Sequence, residues 1–439
     1  MGLTDLLPRT WEVAGGRASV GGVPLGDLAG NYGTPIYVMD VAHLRRRLAE
    51  YREAFGEDTV LAYASKAFFC PDMASLLAES GWWADVVSLA EAVTARVGGM
   101  EAGSLLFHGN NKTPREIEYA AESRIGRLVI DNTDEVASCA RAAASTGTSL
   151  PVMLRLALDV DVDTHPNVRT SGHDSHFGIP LDQAAEALRL VASCDSLLLT
   201  GVHTHVGSQI YDFKPLCTGI EHSIRFIAAH RNAFPEVVDV NVGGGLASPY
   251  VRRDRVPSLS GFAVAVRHAA EVAARRHGIG RWRLMIEPGR SIVANAGITL
   301  YRIGSHKEMA GARIVSVDGG MSDNPRHILY GARYEALLPD RLGDRHDTRF
   351  RVVGRHCETG DVLIRSARLP ADTGRGDLLA IPVTGAYCHS MSSRYNLVPR
   401  PPVVFVEDGA ARLSVPGEHL EELIGGPAPL VNPAAATAC

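Results

Sequence analysis

Lysine is scarce in this 439-residue chain. Only Lys66, Lys112, Lys214 and Lys307 occur, and every other position among the 44 Lys and Arg residues is arginine. Seven scattered cysteines (70, 139, 194, 217, 357, 388 and 439) form no Cys-x-x-Cys pair and are odd in number. That argues against a disulfide framework and against a structural zinc site, so no metal is expected and a reducing cytoplasm fits best. No run approaches the ~20 apolar residues that span a bilayer. The first ten residues carry Asp5 and lack a basic flank with a long apolar core, so they do not read as a signal peptide. No basic block appears and the net charge is -5, which gives no case for nucleic acid. With 46% hydrophobic and 21% charged residues the composition is that of a globular protein, too long for one ordinary core, so two domains are expected.

The scarcity of lysine draws attention to Lys66. An apolar run, Val60-Leu61-Ala62-Tyr63-Ala64, reads as a short buried strand that delivers this lysine to its C-terminal end, with Ala67-Phe68-Phe69 immediately after. An arginine cannot lose its proton near neutral pH, whereas a desolvated lysine can be pushed down until it is a nucleophilic amine. The residue is therefore a candidate Schiff-base lysine. The alternative is a lysine that snorkels from a strand end to solvent.

Around it the chain has a clear rhythm. Residues 15 to 40 hold a turn at Gly21-Gly22 and a strand from Pro35 to Met39, and a helix follows from about Val41 to Phe55. Eight short apolar strands then recur, each trailed by a helical stretch: Val60 to Ala64, Trp82 to Val87, Ser104 to His108, Arg127 to Ile130, Val152 to Leu156, Leu199 to Val206, Val237 to Val242 and Arg283 to Ile286. Eight such units over roughly 230 residues predict a (β/α)8 barrel of the TIM type. Thr113, Pro114 and Glu116 predict a capped helix start after the third strand. After about Ala296 the pattern turns to strands separated by Gly and Pro, which predicts a C-terminal all-β domain. The expected layout is an N-terminal segment (1-35) joining the β domain, a barrel (36-295), the β domain (296-425) and a disordered tail (426-439).

A barrel of this kind gathers its chemistry at the C-terminal ends of the strands. Asp85, Ser88, His108, Asp131, Arg155, His203 and His205 fall there together with Lys66. Gly243-Gly244-Gly245 after the seventh strand lets the backbone approach a ligand and offer N–H groups to an anion, although a tight turn explains it equally well. A phosphate site beside a Schiff-base amine points to pyridoxal phosphate, whose aldehyde needs the amine. Glu287, in Glu287-Pro288-Gly289-Arg290, could hold the pyridine nitrogen protonated, or could simply pair with Arg290. His205 offers a flat ring for stacking, or is a satisfied core histidine. Cys357, set among polar residues from Gly354 to Asp361, is a candidate general acid or a chance thiol.

These residues resemble the fold-type III pyridoxal phosphate-dependent decarboxylases, of alanine-racemase-like architecture, and among them the diaminopimelate decarboxylases. The matching pieces are Tyr63-Ala64-Ser65-Lys66-Ala67, Phe107-His108-Gly109-Asn110-Asn111-Lys112, His203-Thr204-His205-Val206-Gly207-Ser208, Glu287-Pro288-Gly289-Arg290, Val317-Asp318-Gly319-Gly320-Met321-Ser322-Asp323-Asn324-Pro325-Arg326, Cys357-Glu358 and Thr384-Gly385-Ala386-Tyr387. The resemblance implies that Lys66 carries the cofactor, His205 stacks on its ring and Glu287 faces its nitrogen. It implies that Ser208, Gly243, Gly244, Gly245, Gly289, Arg290 and Tyr387 complete the cofactor site. Arg290, Arg326, Tyr330, Glu358 and Tyr387 would bind the substrate, and Cys357 or Lys66 would protonate the product carbon. Cys357 and Glu358 would come from the partner in a homodimer with shared sites, and the reaction would turn meso-2,6-diaminopimelate into L-lysine and carbon dioxide. Two stretches depart from the usual pattern: Ser88-Leu89-Ala90-Glu91 stands where Ser-Gly-Gly-Glu is usual, and His176-Phe177-Gly178 where Lys-Phe-Gly is usual. The loop from Asp161 to Thr170 is also atypical. The rival readings are a decarboxylase of ornithine, lysine, arginine or a modified diamino acid, a racemase, and a non-catalytic binding homologue.

Overall fold

The structure, a computed structural model, describes residues 2–158, 176–309 and 311–425. The expected tail and the atypical loop from Asp161 to Thr170 lie outside the described residues. The chain divides into two compact units, one formed by Met1–Arg9, Val41–Ala296 and Gly385–Ser390, the other by Thr10–Asp40, Gly297–Thr384 and Met391–Cys439.

The first unit is a closed barrel of eight parallel strands: β1 (Val60–Ala64), β2 (Trp83–Val86), β3 (Leu105–Phe107), β4 (Arg127–Ile130), β5 (Leu150–Ala157), β6 (Leu197–His203), β7 (Asp239–Asn241) and β8 (Arg283–Ile286). Each pairs with the next, and β8 returns to β1 through Met285 opposite Val60. The strands read as continuous apolar runs because both their faces are covered, by helices outside and by each other's side chains inside. Ala62, Leu106, Val129, Met153 and Met285 fill the interior, all at most 1% exposed, with Val60 and Trp83 packed against them. Each buried side chain of the larger kind contributes roughly 1.5–3 kcal/mol.

Helices Pro71–Glu79, Leu89–Val97, Pro114–Glu122, Asp134–Thr146, Leu181–Ala192, Lys214–His230 and Leu259–His277 follow the first seven strands. Val41–Phe55 packs against Leu259–His277 and the short helix Arg290–Val293. The predicted start at Thr113 is present as a full capping box: Glu116 N–H donates to Thr113 Oγ1 at 3.3 Å, and Thr113 N–H to Glu116 Oε2 at 2.8 Å. At the N-terminal end of the strands, buried Asp239 accepts from Arg127 at 3.0 Å and from Arg283 at 2.8 Å. A cluster at that end of a barrel serves stability, leaving the opposite end for chemistry.

The second unit is built on Gly297–Met309, a 13-residue strand that pairs antiparallel with Ile36–Asp40 and Leu378–Pro382 along its first half and with Ala312–Val317 along its second. Thr348–Val353 and Val362–Leu369 extend the sheet on one side, and Val403–Glu407 and Ala410–Val415 on the other. A small antiparallel sheet of Glu12–Ala14, Arg17–Val20 and Val23–Pro24 belongs to the same unit, turning through Gly21 and Gly22.

Two boundaries differ from the sequence expectation. Ile36–Asp40 does not open the barrel, because its hydrogen bonds run to Gly297–Met309 and Val403–Glu407 of the second unit. Gly385–Ser390 belongs to the first unit: Gly385 N–H donates to Ala294 O at 3.2 Å and Tyr387 N–H to Ala67 O at 2.8 Å. Among the described residues no helix is long and apolar enough to cross a membrane.

Candidate active site

At the C-terminal end of the barrel a pocket of about 380 Å³ is lined by Lys66, His205, Ser208, Gly245, Glu287, Gly289, Arg290 and Tyr387, with Ala64, Gln209, Leu246 and Ser291 completing the wall. Lys66 stands in a single 3-10 turn, Ser65–Ala67, directly after β1. Its side chain keeps accessible surface toward the pocket while protein surrounds the amine. Among the described residues the amine has no hydrogen-bond partner. Burial works to lower its pKa, but Asp85, Tyr387 and Glu287 outweigh burial, and the pKa lies above the ordinary lysine value. Desolvation alone predicts a lowered amine. The neighbouring carboxylates reverse that direction.

Glu287 follows β8 and is buried with three donors on its carboxylate. His108 Nε2 is 2.9 Å from Oε1, Asn241 Nδ2 donates to Oε1 at 2.7 Å, and His203 Nε2 is 3.2 Å from Oε2. Burial opposes its ionisation, yet the two imidazoles hold its pKa well below the usual carboxylate range. Burial brings His203 down to about 4 against the pull of Glu287, so its ring is neutral at pH 7. The expected alternative pairing of Glu287 with Arg290 does not occur: Arg290 donates to Tyr250 OH at 2.7 Å and its guanidinium lies 4.6 Å from the Tyr387 ring centroid. Donor atoms of His108, His203 and Glu287 lie within 4.8 Å of one another, a spacing a metal ion could use. The hydrogen bonds just given already account for it.

His205 lies beyond β6, and burial keeps its ring neutral. Gly244 N–H donates to its Nδ1 at 3.4 Å. Gly243 makes room for that ring: its φ is +67°, and a Cβ there would stand 2.4 Å from His205 Nδ1. Gly243 and Gly244 thus support the pocket from behind, while Gly245 lines it.

In the two departing stretches, the residues that keep the usual pattern have clear local roles. Ser88 caps Leu89–Val97: its Oγ accepts from Glu91 N–H at 3.2 Å, and Glu91 Oε2 accepts from Val87 N–H at 2.7 Å. Burial lifts the Glu91 carboxyl to about 7. Phe177 lies under Arg155, 4.5 Å from its guanidinium, and Gly178 N–H donates to Asp131 Oδ2 at 3.0 Å.

The remaining expected residues belong to the second unit. Arg326 is buried and donates to Tyr334 OH at 2.8 Å, and Tyr330 closes the short helix Arg326–Tyr330. Cys357 and Glu358 stand exposed on the loop between Thr348–Val353 and Val362–Leu369. Sequence reasoning placed His108, His203 and Asp85 at strand ends without a role and passed over Asn241. The signal available was that position, shared by every residue now found around Glu287.

Comparison with known proteins agrees with this geometry. Residues 41–294 match the family model described as "Pyridoxal-dependent decarboxylase, pyridoxal binding domain". The chain is 41% identical to the diaminopimelate decarboxylase of Bacillus subtilis (strain 168) over 416 residues, covering 93% of this chain and 94% of that one. It is 41% identical to the diaminopimelate decarboxylase of Actinosynnema pretiosum subsp. auranticum over 425 residues, covering 96% and 95%. Among solved structures, diaminopimelate decarboxylase from M. jannaschii in co-complex with L-lysine superposes with a TM-score of 0.88 at 30% identity, over 95% of this chain and 97% of that one. The chain belongs to the pyridoxal-dependent decarboxylases, and within them to the diaminopimelate decarboxylase family.

Proposed function

We propose that this protein decarboxylates meso-2,6-diaminopimelate to L-lysine and carbon dioxide, with pyridoxal phosphate as cofactor. The observation that carries the reading is the meeting, in one pocket, of a lysine amine with no hydrogen-bond partner among the described residues and a carboxylate held ionised by two histidines. The residues present fit the cofactor. Lys66 offers an amine for its aldehyde, Glu287 an anion for its ring nitrogen, and His205 a flat neutral ring for its face. Gly245 and Ser208, both in the pocket wall, are the residues left to meet its phosphate, since the N–H groups of Gly243 and Gly244 already donate to Asn241 Oδ1 and His205 Nδ1. Bound there, pyridoxal phosphate supplies a protonated ring that draws off the electrons left when a carboxylate departs.

The chain's own residues do the rest. Glu287 keeps its charge because His108, His203 and Asn241 each donate to it, and a charge so held is available to a ring cation at neutral pH. Lys66, whose amine is in the pocket wall, would also be placed to move protons within the pocket. Arg290, Arg326, Tyr330, Glu358 and Tyr387 are assigned to the substrate. Two arginines and a carboxylate suit a molecule with a second amino-acid head group, since an unpaired buried charge is costly. Cys357 is assigned as the acid: its thiol gives a proton to the carbon that lost carbon dioxide, and water restores it. Cys357 and Glu358 are proposed to serve the site of a second copy, in a cytoplasmic homodimer.

Expression in a bacterium that requires lysine because it lacks this decarboxylase tests the assignment. Growth without lysine is expected from the wild-type chain and not from Lys66→Ala. Failure of the wild-type chain to restore growth, when expressed and loaded with cofactor, would remove the assignment.

A further inference from the structure

An exposed loop places a thiol reproducibly only when its backbone is tied down. In the second unit the loop carrying Cys357 is tied by side chains from two distant segments. Asn396 Oδ1 accepts from the backbone N–H of Cys357 at 3.3 Å and lies 3.2 Å from His356 Nδ1. An oxygen that faces two donors fixes the orientation of the amide and puts the imidazole proton on Nδ1. On the other side of the ring Ser322 Oγ stands 2.8 Å from Nε2. His356 is buried, with the Tyr395 ring 5.5 Å away.

The backbone at His356 is held as well. Asp361 Oδ2 accepts from His356 N–H at 2.8 Å, and Oδ1 accepts from Met321 N–H at 2.7 Å. Gly354 permits this approach, since a Cβ there would stand 2.2 Å from Asp361 Oδ2. Asn396 adopts φ +53° and ψ +24°, a left-handed conformation that asparagine tolerates better than most residues. Two segments, Gly320–Asp323 and Arg394–Leu397, are thereby joined through one imidazole to the loop that carries Cys357 and Glu358.

We propose that His356 and Asn396 are positioning residues that hold Cys357 and Glu358 in place by fixing the loop backbone. The inference rests on the reading of Cys357 as the proton donor. It adds that this donor works only when an amide oxygen and a buried imidazole anchor it.

Hydrogen–deuterium exchange of the segment from 355 to 360, measured on the cofactor-loaded full chain, separates this from general destabilisation. Asn396→Gly keeps the left-handed backbone and removes the acceptor, and it is expected to speed exchange in that segment at least tenfold with little change elsewhere. Turnover should fall about ten- to a hundredfold, the loss that follows a misplacement of about 1 Å. Asn396→Asp keeps both backbone and acceptor and should restore slow exchange and turnover. His356→Ala should reproduce the exchange change by removing the other ring contacts. In a Cys357→Ala background Asn396→Gly should lower kcat little further, its remaining effect falling on KM through Glu358. Unchanged exchange in Asn396→Gly, or kcat losses that multiply independently in the double variant, would overturn the proposal. Wild-type turnover by Cys357→Ala alone would instead remove the reading of Cys357, with the exchange result still deciding whether Asn396 anchors the loop.

Discussion

Replacing Glu287 by glutamine separates charge from shape. The side chain keeps its size, and an amide oxygen in place of Oε1 still accepts from His108 and Asn241, now 2.9 and 2.7 Å away. The new NH2 would face His203 Nε2, which lies 3.2 Å from Oε2. His203 can adapt by moving its proton to Nδ1, an atom with no hydrogen-bond partner among the described residues. The cost to folding is therefore about 1 kcal/mol, that of a rearranged hydrogen bond. The cost to chemistry is larger. A carboxylate and a ring cation about 4 Å apart at an effective dielectric constant near 20 attract by roughly 4 kcal/mol. Loss of that attraction corresponds to about a thousandfold in rate. Carbon dioxide release at saturating substrate, set beside urea unfolding of the same preparation, reads both effects. A cofactor-loaded Glu287→Gln variant that turns over within tenfold of wild type would refute the argument that this charge sustains the electron sink.

Four further outcomes are expected. Lys66→Ala should abolish the cofactor's near-visible Schiff-base absorbance, and an unchanged spectrum would show that another amine holds the aldehyde. Cys357→Ala should retain cofactor and lose most turnover; wild-type turnover would end its role as the acid. Asp239→Ala leaves Arg127 and Arg283 without their shared buried partner and should cost roughly 3 kcal/mol in urea unfolding while leaving kcat nearly unchanged. Asp323 is buried against Tyr301 and Gly320, and burial lifts its carboxyl from 3.8 to about 7. The folded chain then holds a proton between those values that the unfolded chain releases, so this group favours folding in acid and its contribution fades as pH rises through 7. That interval amounts to about 4 kcal/mol. Asp323→Asn should flatten the dependence of Tm on pH between about 4 and 7, and an unaltered dependence there would show that another group is responsible.

Much of the barrel is legible in the sequence because its strands are covered on both faces and so appear as unbroken apolar runs, Val60–Ala64 being the plainest. Membership of a sheet is less legible. Nothing local in Ile36–Asp40 says that it pairs with Gly297–Met309 rather than with a barrel strand. Val362–Leu369 escaped notice because Arg365, Ser366 and Arg368 interrupt its apolar pattern on the exposed face, and Ala410–Val415 because it is an edge strand with no buried position. The site shows the same division. Lys66, Glu287 and the glycine turn stand out as residue types, but the surroundings of Glu287 come from 179, 84 and 46 residues away, through His108, His203 and Asn241. The direction of the Lys66 pKa depends on Asp85 and Glu287, carried by other strands, and a reading of its own strand sees only the burial.

The central claim is the choice of substrate, and the most direct measurement is carbon dioxide release by the purified, cofactor-loaded protein offered meso-diaminopimelate, ornithine, lysine and arginine in parallel. Release from meso-diaminopimelate alone, with L-lysine accumulating in equal amount, is the predicted result. Release from ornithine, lysine or arginine but not from meso-diaminopimelate would contradict it and return Leu89, Ala90 and His176 to the centre of the specificity question.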